Sequence, residues 1–391
     1  MASYLVVTWD GAGNLVSTLG IARRLVDEGH DVRLLGHESI DARCGSHGWR
    51  FVPLRQLAEF DNTAENDPGD EITRLSADLW CSPAVAEDVR AELEREPADV
   101  ILADCMLLGA LCAGEAAGLP TVALFHSPIS LFRGGPLVEL LAPALPIVHE
   151  MRRDLGLPAV GSIAELHDRT ALCLVATPRE FDVEVPLPDH VRFVGPILDG
   201  PPLSTRVDDV EVDDDGEPVV VVSFSTSFQG QHTTLQRVAD ALAGLPVRAV
   251  VTTGPSVDPA DILKGENTQV VGFVPHERLF PAASVIVTHA GLGTVMAALA
   301  SSTPMVCLPM GRDQFFNAAM VERLGAGVVL DAAAPASAIA AAVQEVLGGD
   351  GHRAAAEQFA KVISGCGGAT EAVAALEQAR GAAAAAGREV P

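Results

Sequence analysis

The chain has 391 residues, of which 48% are apolar and 20% are charged, and its formal net charge at neutral pH is −26. This length exceeds one ordinary hydrophobic core and predicts two domains, while the apolar content excludes a broadly disordered chain. The strong negative charge argues against nucleic acid and anionic membranes as partners, because both would be repelled.

Seven cysteines are scattered along the chain without a C-x-x-C pair. An odd, scattered set is typical of a reducing compartment rather than of a disulfide framework. The N-terminus lacks a basic segment, and the apolar stretches are interrupted by charged residues such as Asp104, Glu115 and Asp331. We therefore expect a cytoplasmic protein without a cleavable signal and without stable membrane insertion.

The first half of the chain alternates short apolar runs with helical patterns. Buried parallel strands read as continuous apolar runs, and strand–helix–strand units build parallel sheets. Residues 55–95 are acidic and irregular, which is typical of an inserted binding loop. The pattern predicts helices over 18–28 and 107–117, and strands over 4–9, 32–35, 99–103 and 121–125.

A segment rich in Pro, Gly and Asp over residues 199–217 predicts an acidic interdomain linker. The alternation then restarts, and the pattern predicts strands over 219–224, 247–252, 268–272, 285–288 and 304–309. The fold class predicted is α/β, with Rossmann-like parallel-sheet domains over 1–198 and 218–375. The Gly/Ala-rich residues 376–391 are predicted to be a frayed tail.

The glycine loop after the first strand reads Gly-Ala-Gly-Asn-Leu-Val over residues 11–16. A dinucleotide fingerprint needs glycine where Val16 stands, and an acidic residue at the end of the second strand. That strand ends instead at Leu-Gly-His over residues 35–37. The loop therefore predicts a tight turn at a helix N-terminus and no nicotinamide cofactor.

The most specific segment reads His-Ala-Gly-Leu-Gly-Thr over residues 289–294 and follows a predicted strand. Small residues at a strand end let backbone amides approach an anion, and the positive end of the following helix favours a phosphate. His289 can donate to a phosphoryl oxygen, and the polar pair Asp313 and Gln314 after the next strand can meet sugar hydroxyls. The segment predicts a phosphate-binding site.

Residues 272–317 resemble the UGT-like glycosyltransferases that decorate natural products, a family of macrolide, glycopeptide and plant enzymes with the GT-B fold. The opening Gly-Phe-Val-Pro-His over 272–276 resembles the aromatic-x-Pro-Gln box of that family, with His276 in place of glutamine. The resemblance implies two Rossmann-like domains facing a central cleft, with the acceptor bound by residues 1–198 and the nucleotide sugar by residues 218–375.

Weaker resemblances are Phe-Val-Gly-Pro over 193–196, Ser-Phe-Ser-Thr over 223–226 and Thr-Thr-Gly over 252–254. By resemblance, Phe273 would stack on the base of the nucleotide and His289 would hold the diphosphate together with nearby amides. The donor-site residues implied in this way are Thr226, Thr253, Phe273, Val274, His276, His289, Gly291, Gly293, Thr294, Asp313 and Gln314.

The family usually places a catalytic histidine in a Gly-His-x-x-Pro motif after the first strand, but this chain has Asn14 at that position. An amide has no useful basicity, so another group must accept the proton of the acceptor. The candidates, in order of preference, are Asp104, Asp10 and His126, each at a predicted strand end. We expect Asn14 to position the acceptor oxygen.

The resemblance implies an inverting transfer of a hexose from a UDP- or dTDP-sugar to a hydroxyl of a small apolar aglycone. A phenolic hydroxyl suits Asn14, since a phenol requires a weaker base. The acidic run over 213–215 lies in the predicted linker, and no Asp-x-Asp ends a strand. We therefore expect no metal, and no cofactor besides the nucleotide sugar as co-substrate.

The expected partners are a nucleotide sugar and a small-molecule aglycone, with a monomeric or homodimeric chain. The sequence leaves open uridine or thymidine as the base, the sugar, the aglycone and the catalytic base. Two other functions stay open on the same residues. One is a sugar-nucleotide 2-epimerase of the same fold, and the other is a non-catalytic auxiliary protein that binds a sugar nucleotide.

Overall fold

The computed structural model describes residues 1–11, 13–45, 47–57, 75–200, 207–210, 216–227 and 229–386. The chain folds into two compact units. The described residues of the first unit lie in 1–57, 75–200 and 366–386, and those of the second lie in 207–365. Most of the predicted linker, residues 201–206 and 211–215, lies outside the described residues.

The first unit is built on a parallel sheet. Its described strands are β1 (Ser3–Val7), β2 (Asp31–Gly36), β3 (Arg50–Pro53), β4 (Val100–Asp104), β5 (Thr121–Phe125), β6 (Leu172–Val175) and β7 (Val191–Phe193). They pair in the order β3-β2-β1-β4-β5-β6-β7. The helices around it are α1 (Gly13–Asp27), α2 (Glu38–Cys44), α3 (Pro83–Arg95), α4 (Leu108–Ala116), α5 (Pro136–Leu141), α6 (Leu145–Asp154) and α7 (Ile163–Asp168).

Helix α3 lies in the segment that the sequence predicts to be irregular, and that prediction is wrong for residues 83–95. The helix buries Val85 and Val89, but it also buries the carboxylate of Glu92, which pairs with the fully buried Arg33 at 2.6 Å. A charged residue on the buried face interrupts the apolar period by which a helix is recognised. Residues 58–74 of the same segment lie outside the described residues.

The second unit repeats the plan. Its described strands are β8 (Val219–Ser223), β9 (Arg248–Thr252), β10 (Thr268–Val271), β11 (Val285–Thr288), β12 (Met305–Cys307) and β13 (Gly327–Val329). They pair in parallel in the order β10-β9-β8-β11-β12-β13. The helices are α8 (His232–Ala243), α9 (His276–Leu279), α10 (Leu292–Ala300), α11 (Gln314–Leu324), α12 (Ala336–Gly348) and α13 (Asp350–Ser364). The predicted α/β class with two Rossmann-like domains is confirmed.

The C-terminal end of the chain differs from the predicted tail. Residues 368–386 form helix α14 (Gly368–Ala386), which belongs to the first unit. Val373 and Leu376 are buried in the same core as Leu15 and Leu19 of α1. Alanine is the strongest helix former, so the Ala-rich composition stabilises a helix once an apolar stripe has a partner to pack on. Residues 387–391 lie outside the described residues.

Among the described residues, no helix combines the length and the apolar character that a bilayer crossing requires.

The packing of α14 leads to a stability test with Leu376→Ala. The side chain of Leu376 is fully buried, so we expect the substitution to lower the free energy of unfolding by about 2–5 kcal/mol. All three tryptophans, Trp9, Trp49 and Trp80, lie in the first unit, so urea unfolding followed by tryptophan fluorescence reports on it. The control is Ala383→Ser at the exposed end of α14. An unchanged midpoint for Leu376→Ala would mean that α14 does not stabilise this unit.

Candidate active site

In each unit, the predicted site residues lie at one edge of the parallel sheet. In such sheets, ligands bind beyond the carboxyl ends of the strands, where the strand order reverses. The reversal lies between β1 and β4 in the first unit and between β8 and β11 in the second. Asn14 follows β1 and Asp104 ends β4, whereas His289 follows β11. The predicted acceptor and donor residues therefore lie at the two reversal points.

The loop after β11 forms the predicted phosphate cradle. Gly291 is the N-cap residue of α10, and no side chain caps this helix end. The first amides of a helix have no partner within the helix, so the amides of residues 292–294 are left to bind an anion. A side chain at Gly293 would meet nothing within 4 Å, which leaves open space in front of this helix end. The arrangement fits a phosphate group.

His289 lies beside that helix end. Its imidazole stacks on Phe224 with ring centroids 5.9 Å apart, and it is 6% exposed. A Cβ atom on Gly291 would lie 2.5 Å from Nε2 of His289, so glycine is required for this ring position. Burial, together with a smaller contribution from the positive charge of Arg312, lowers the pKa of His289 to about 3. The ring is therefore neutral at physiological pH and can act as an N–H donor without carrying a charge.

The polar pair after β12 is held by a hydrogen-bond network. Gln314 is buried, and its Oε1 accepts from the backbone amides of Met310 and Gly311 at 2.8 and 3.1 Å. Its Nε2 donates to Oε1 of Gln229 at 2.7 Å. Gln314, which we predicted to hold the sugar, thus bonds to other residues of the protein and holds the loops after β8 and β12 in place.

Asp313 remains half-buried and is linked to the cradle through Asn317. The Nδ2 atom of Asn317 donates to Oδ2 of Asp313 and to the carbonyl of Ala290, both at 3.1 Å. Ala290 has a φ of 63°, a conformation that is uncommon for residues other than glycine, and the contact with Asn317 helps to hold it. Hydrogen bonds through Asn317 therefore join Asp313 to the loop that carries His289.

The aromatic-x-Pro segment after β10 is fastened by a residue from the predicted linker. The carboxylate of Asp208 accepts from the amides of Gly272 and Phe273 at 2.7 and 3.1 Å. Phe273 is half-buried, so part of its ring is accessible, whereas the side chain of Val274 is buried. Any contact of Val274 with a ligand would be through its backbone. The accessible face of Phe273 fits its predicted role beside a nucleotide base.

His276 and the two threonines differ in how far they reach the site. His276 stacks on Phe280 at 4.2 Å, its Nε2 lies 3.0 Å from Oγ of Ser223, and burial lowers its pKa to about 4. Thr253 is fully buried, and its hydroxyl donates to the carbonyl of Gly254 at 3.2 Å. Thr226 is half-buried on the loop after β8. His276 and Thr253 therefore support the loops, and Thr226 is the more accessible residue of the three.

Four residues of the second unit were missed by the sequence reasoning: Asp208, Gln229, Arg312 and Asn317. Asp208, Gln229 and Asn317 act by bonding to loops that are distant in sequence, so no local pattern indicates them. Arg312 directly precedes the predicted Asp–Gln pair and brings a positive charge close enough to lower the pKa of His289. A lone arginine next to a polar pair after a strand was the signal that could have revealed it.

In the first unit, the structure brings Asn14 and Asp104 together. Nδ2 of Asn14 donates to Oδ2 of Asp104 at 2.8 Å and to the carbonyl of Trp9 at 3.0 Å, and its Oδ1 accepts from the amide of Gly11 at 3.2 Å. The amide orientation follows from these partners, because Nδ2 faces two acceptors. Asn14 is 3% exposed, so both ends of its side chain are engaged by the protein.

Asp104 is buried with hydrogen-bond donors on both carboxylate oxygens. Oδ1 accepts from the amide of Met106 at 2.9 Å, and Nε2 of His126 lies 3.3 Å from Oδ1 and 3.2 Å from Oδ2. Burial by itself raises the pKa of Asp104, but the charge and hydrogen bond of His126, with the bonds from Met106 and Asn14, outweigh it and leave the pKa below its usual value. The carboxylate is therefore ionised at neutral pH.

Asp10 is directed toward the start of α2. Its Oδ2 accepts from the hydroxyl of Ser39 at 2.7 Å, and its backbone amide donates to Nδ1 of His37 at 3.2 Å. Asp10 is 3% exposed. These contacts fix the loop after β1 and weaken the case for Asp10 as an acid–base group.

The chain is similar to known proteins in sequence and in fold. Residues 237–378 match the family model described as erythromycin biosynthesis protein CIII-like, C-terminal domain. The chain is 29% identical to 4'-demethylrebeccamycin synthase of Lentzea aerocolonigenes over 84% of this chain and 87% of that protein. It is 23% identical to the uncharacterized UDP-glucosyltransferase YojK of Bacillus subtilis, with 97% and 98% covered. The crystal structure of glycosyltransferase VinC in complex with dTDP matches with a TM-score of 0.76, 17% identity, and 97% and 99% covered.

The fold, the site and these relatives together define the class: the chain is a glycosyltransferase with the GT-B fold. Its relatives include named natural-product enzymes, and its residues 237–378 match the erythromycin biosynthesis CIII-like C-terminal domain model. The family resemblance and the GT-B fold predicted from the sequence are confirmed.

The fit of Gly291 against His289 leads to a binding test. In Gly291→Ala, the added Cβ would lie 2.5 Å from Nε2 of His289, so the ring must move away from the cradle. We expect at least about a tenfold loss of affinity for a nucleoside diphosphate, which corresponds to about 1.4 kcal/mol, measured by calorimetry. The control is Gly348→Ala at the end of α12, where an added Cβ meets nothing within 4 Å. Equal affinities for the two variants would refute the close fit.

The neutral state of His289 leads to a pH test. His289→Gln should weaken nucleoside diphosphate binding by roughly 1–3 kcal/mol, because a phosphate loses one donor. Since the pKa of His289 is lowered to about 3, protonation sets in only as the pH falls well below the ordinary histidine range. The ratio of wild-type to variant affinity should therefore stay constant between about pH 5.5 and about pH 8.

Calorimetry across this range measures the ratio, in which the titration of the nucleotide itself cancels. The control is His352→Gln, whose ring bonds the carbonyl of Gly325 in the same unit. A ratio that grows toward acid pH would show that a charged imidazolium binds the phosphate, and would contradict the neutral donor.

Proposed function

We propose that the protein transfers a hexose from a UDP- or dTDP-sugar to a phenolic or similar hydroxyl of a small apolar aglycone, with inversion at the anomeric carbon and without a metal. The observation that carries this proposal is the uncapped N-terminus of α10 beside neutral His289. Both supply N–H donors to a diphosphate, which is the leaving group of a nucleotide sugar.

The donor class is supported by what the similar proteins are named for. YojK is called a UDP-glucosyltransferase, and the VinC crystal structure holds dTDP. In this chain, half-buried Phe273 offers a face to a nucleotide base, and half-buried Asp313 offers a carboxylate to sugar hydroxyls. Asp313 is joined to the cradle through Asn317, so a sugar next to the diphosphate would lie within its reach.

Metal-independent transfer is supported by the ligands available near the cradle. Diphosphate charge can be balanced by helix amides, by the N–H of His289 and by the nearby positive charge of Arg312. Among the described residues, one cluster of three potential metal ligands occurs, Asp104, Cys105 and His126, and it lies in the first unit. In the described part of the second unit, no such cluster accompanies the cradle.

Inversion is supported by the state of the buried carboxylates. A retaining mechanism by double displacement requires a carboxylate that can attack the anomeric carbon. The Asp104 side chain is 0% exposed and accepts N–H bonds on both oxygens, and Asp10 is bonded to Ser39. Neither of these two carboxylates of the first unit is placed as a nucleophile, which favours direct attack by the acceptor hydroxyl.

An aromatic acceptor is supported by the aromatic residues at the same edge of the first sheet. Trp9 lies in the loop after β1 and packs edge-to-face on Trp80 with ring centroids 5.9 Å apart. The Trp9 ring also covers Gly11, where an added Cβ would lie 2.6 Å from it. Both tryptophans are buried, at 5% and 8% exposure, so they make the surroundings of the Asn14–Asp104 pair apolar and aromatic. Such surroundings suit a flat acceptor that presents one hydroxyl.

The function is tested by incubating the wild-type protein with UDP-glucose or dTDP-glucose and matched pairs of phenols and alkyl alcohols. We expect a glycosylated phenol whose anomeric configuration, read by proton NMR coupling, is opposite to that of the donor. EDTA should leave the rate unchanged. Retention of configuration, or loss of activity in EDTA with recovery in magnesium, would refute the respective parts of the proposal.

Two further results would replace the proposed function altogether. Scrambling of the free donor without an acceptor product would indicate a sugar-nucleotide 2-epimerase. Tight donor binding without any turnover would indicate an auxiliary binding protein.

A further inference from the structure

The structure changes which residue we assign as the base that removes the proton from the acceptor hydroxyl. Asn14 occupies the position at which the family resemblance places a histidine, and its amide is engaged by Gly11, Trp9 and Asp104. Asn14 is 3% exposed, so its amide has little access to an acceptor. Asn14 instead ties the glycine loop after β1 to the end of β4.

Asp104 is an equally poor base. A general base must reach the proton it removes and must gain affinity for it in the transition state. The Asp104 side chain is 0% exposed, and each of its oxygens already accepts a bond from Asn14 or Met106. These bonds favour the ionised form, which works against proton uptake. The buried carboxylate of Asp104 therefore remains ionised.

His126 contacts the buried carboxylate and is itself partly exposed, whereas Asn14 and Asp104 are both buried. It comes directly after β5, which pairs with β4 so that Asp104 lies opposite Leu124. This register places the imidazole over the carboxylate, with Nε2 at 3.2 and 3.3 Å from its two oxygens. The side chain of His126 is 17% exposed, so the ring bridges the buried charge and the surface at the acceptor edge of the sheet.

We infer that His126 is the general base of the transfer and that Asp104 is its positioning residue. The inference rests on the proposed transfer to a hydroxyl. Asp104 accepts the Nε2–H bond, which fixes the tautomer whose basic nitrogen is Nδ1. As the acceptor oxygen bonds to C1 of the sugar, its proton passes to Nδ1. The bond from C1 to the phosphate oxygen breaks, and the nucleoside diphosphate leaves with the electron pair. The imidazolium is then stabilised by the Asp104 carboxylate.

A metal site at the same three residues fits less well. Cys105 is fully buried, and burial together with the Asp104 charge raises the pKa of its thiol well above its usual value. Metal ions bind the thiolate, so this cysteine is a poor ligand at neutral pH. The oxygens of Asp104 are occupied by donors from three directions. Among the described residues, His167 on α7 also interacts with Asp104, and burial lowers the pKa of this fully buried ring to about 4. It is neutral while His126 acts.

The test is His126→Gln, assayed with saturating donor on a matched phenol and alkyl alcohol. We expect kcat for the alcohol to fall by about 10²- to 10⁴-fold and kcat for the phenol to fall less, because a phenol needs less help in losing its proton. Calorimetry should show nucleoside diphosphate affinity within about twofold of wild type. The control is His149→Gln, whose ring bonds the carbonyl of Val160 in the same unit. It should retain wild-type rates.

Two readouts separate a base from a merely structural histidine. The wild-type rate should fall toward acid pH as the base becomes protonated, and His126→Gln should lack this acidic limb. His126→Ala should regain activity when imidazole is added, since free imidazole can occupy the vacated space and take the proton. Asp104→Asn should move the acidic limb to lower pH, because removal of a negative charge lowers the pKa of the neighbouring imidazole.

Wild-type rates on the alcohol for His126→Gln would overturn the assignment, as would an acidic limb that persists in this variant or a lack of imidazole rescue in folded His126→Ala. Loss of wild-type activity in EDTA, restored by zinc, would show that Asp104, Cys105 and His126 hold a metal. Failure of wild-type protein to glycosylate any acceptor is a different outcome, because it would remove the proposed function rather than the identity of its base.

Discussion

Parallel pairing of the described strands is the constraint on which the candidate site depends. Because parallel strands run in one direction, their carboxyl ends share one edge, and residues that are far apart in the sequence meet there. In the first unit, this edge brings Asn14, Asp104 and His126 within hydrogen-bonding distance. In the second unit, the loops after four strands enclose His289 and the N-terminus of α10. Each cluster exists only as long as its sheet keeps this order.

Burial gives the two sites different electrostatic characters. Burial, with the positive charge of Arg312, lowers the pKa of His289, so its imidazole is neutral and can donate a hydrogen bond. His126 faces an ionised carboxylate and keeps part of its ring at the surface, which suits a group that must gain and lose a proton. The same side chain can therefore perform two functions because its surroundings decide which protonation state is stable.

The loops of the donor site are held mainly by side chains that do not meet a ligand themselves. Asp208, Gln314 and Asn317 each bond to backbone groups of a neighbouring loop. Such contacts fix the positions of amides and aromatic rings before a ligand arrives, which reduces the entropy that binding must overcome. The resemblance predicted a direct sugar contact for Gln314, whereas its hydrogen bonds in the structure show how the site is kept in shape.

The sequence by itself determined the α/β class, most of the long strands and helices, and the turn from β11 into α10 over residues 289–294, where we predict the phosphate site. These features depend on local period, on small residues and on a strand end followed by a helix, all of which are written in contiguous residues. The short strands β3, β7 and β13 escaped prediction because they lie at the edges of their sheets, where their side chains are only partly buried and give no long apolar run. The buried strand β6 was also missed.

Only the tertiary structure decided that α14 packs in the first unit and that the partly exposed ring of His126 lies against the buried Asp104 carboxylate, the contact from which we infer that His126 is the base. Asn14 and Asp104 are 90 residues apart in the sequence, and His126 is 22 residues from Asp104. Their hydrogen bonds arise from the order and register of the strands, which the pattern of any one segment cannot specify, because pairing is set by the packing of the whole sheet.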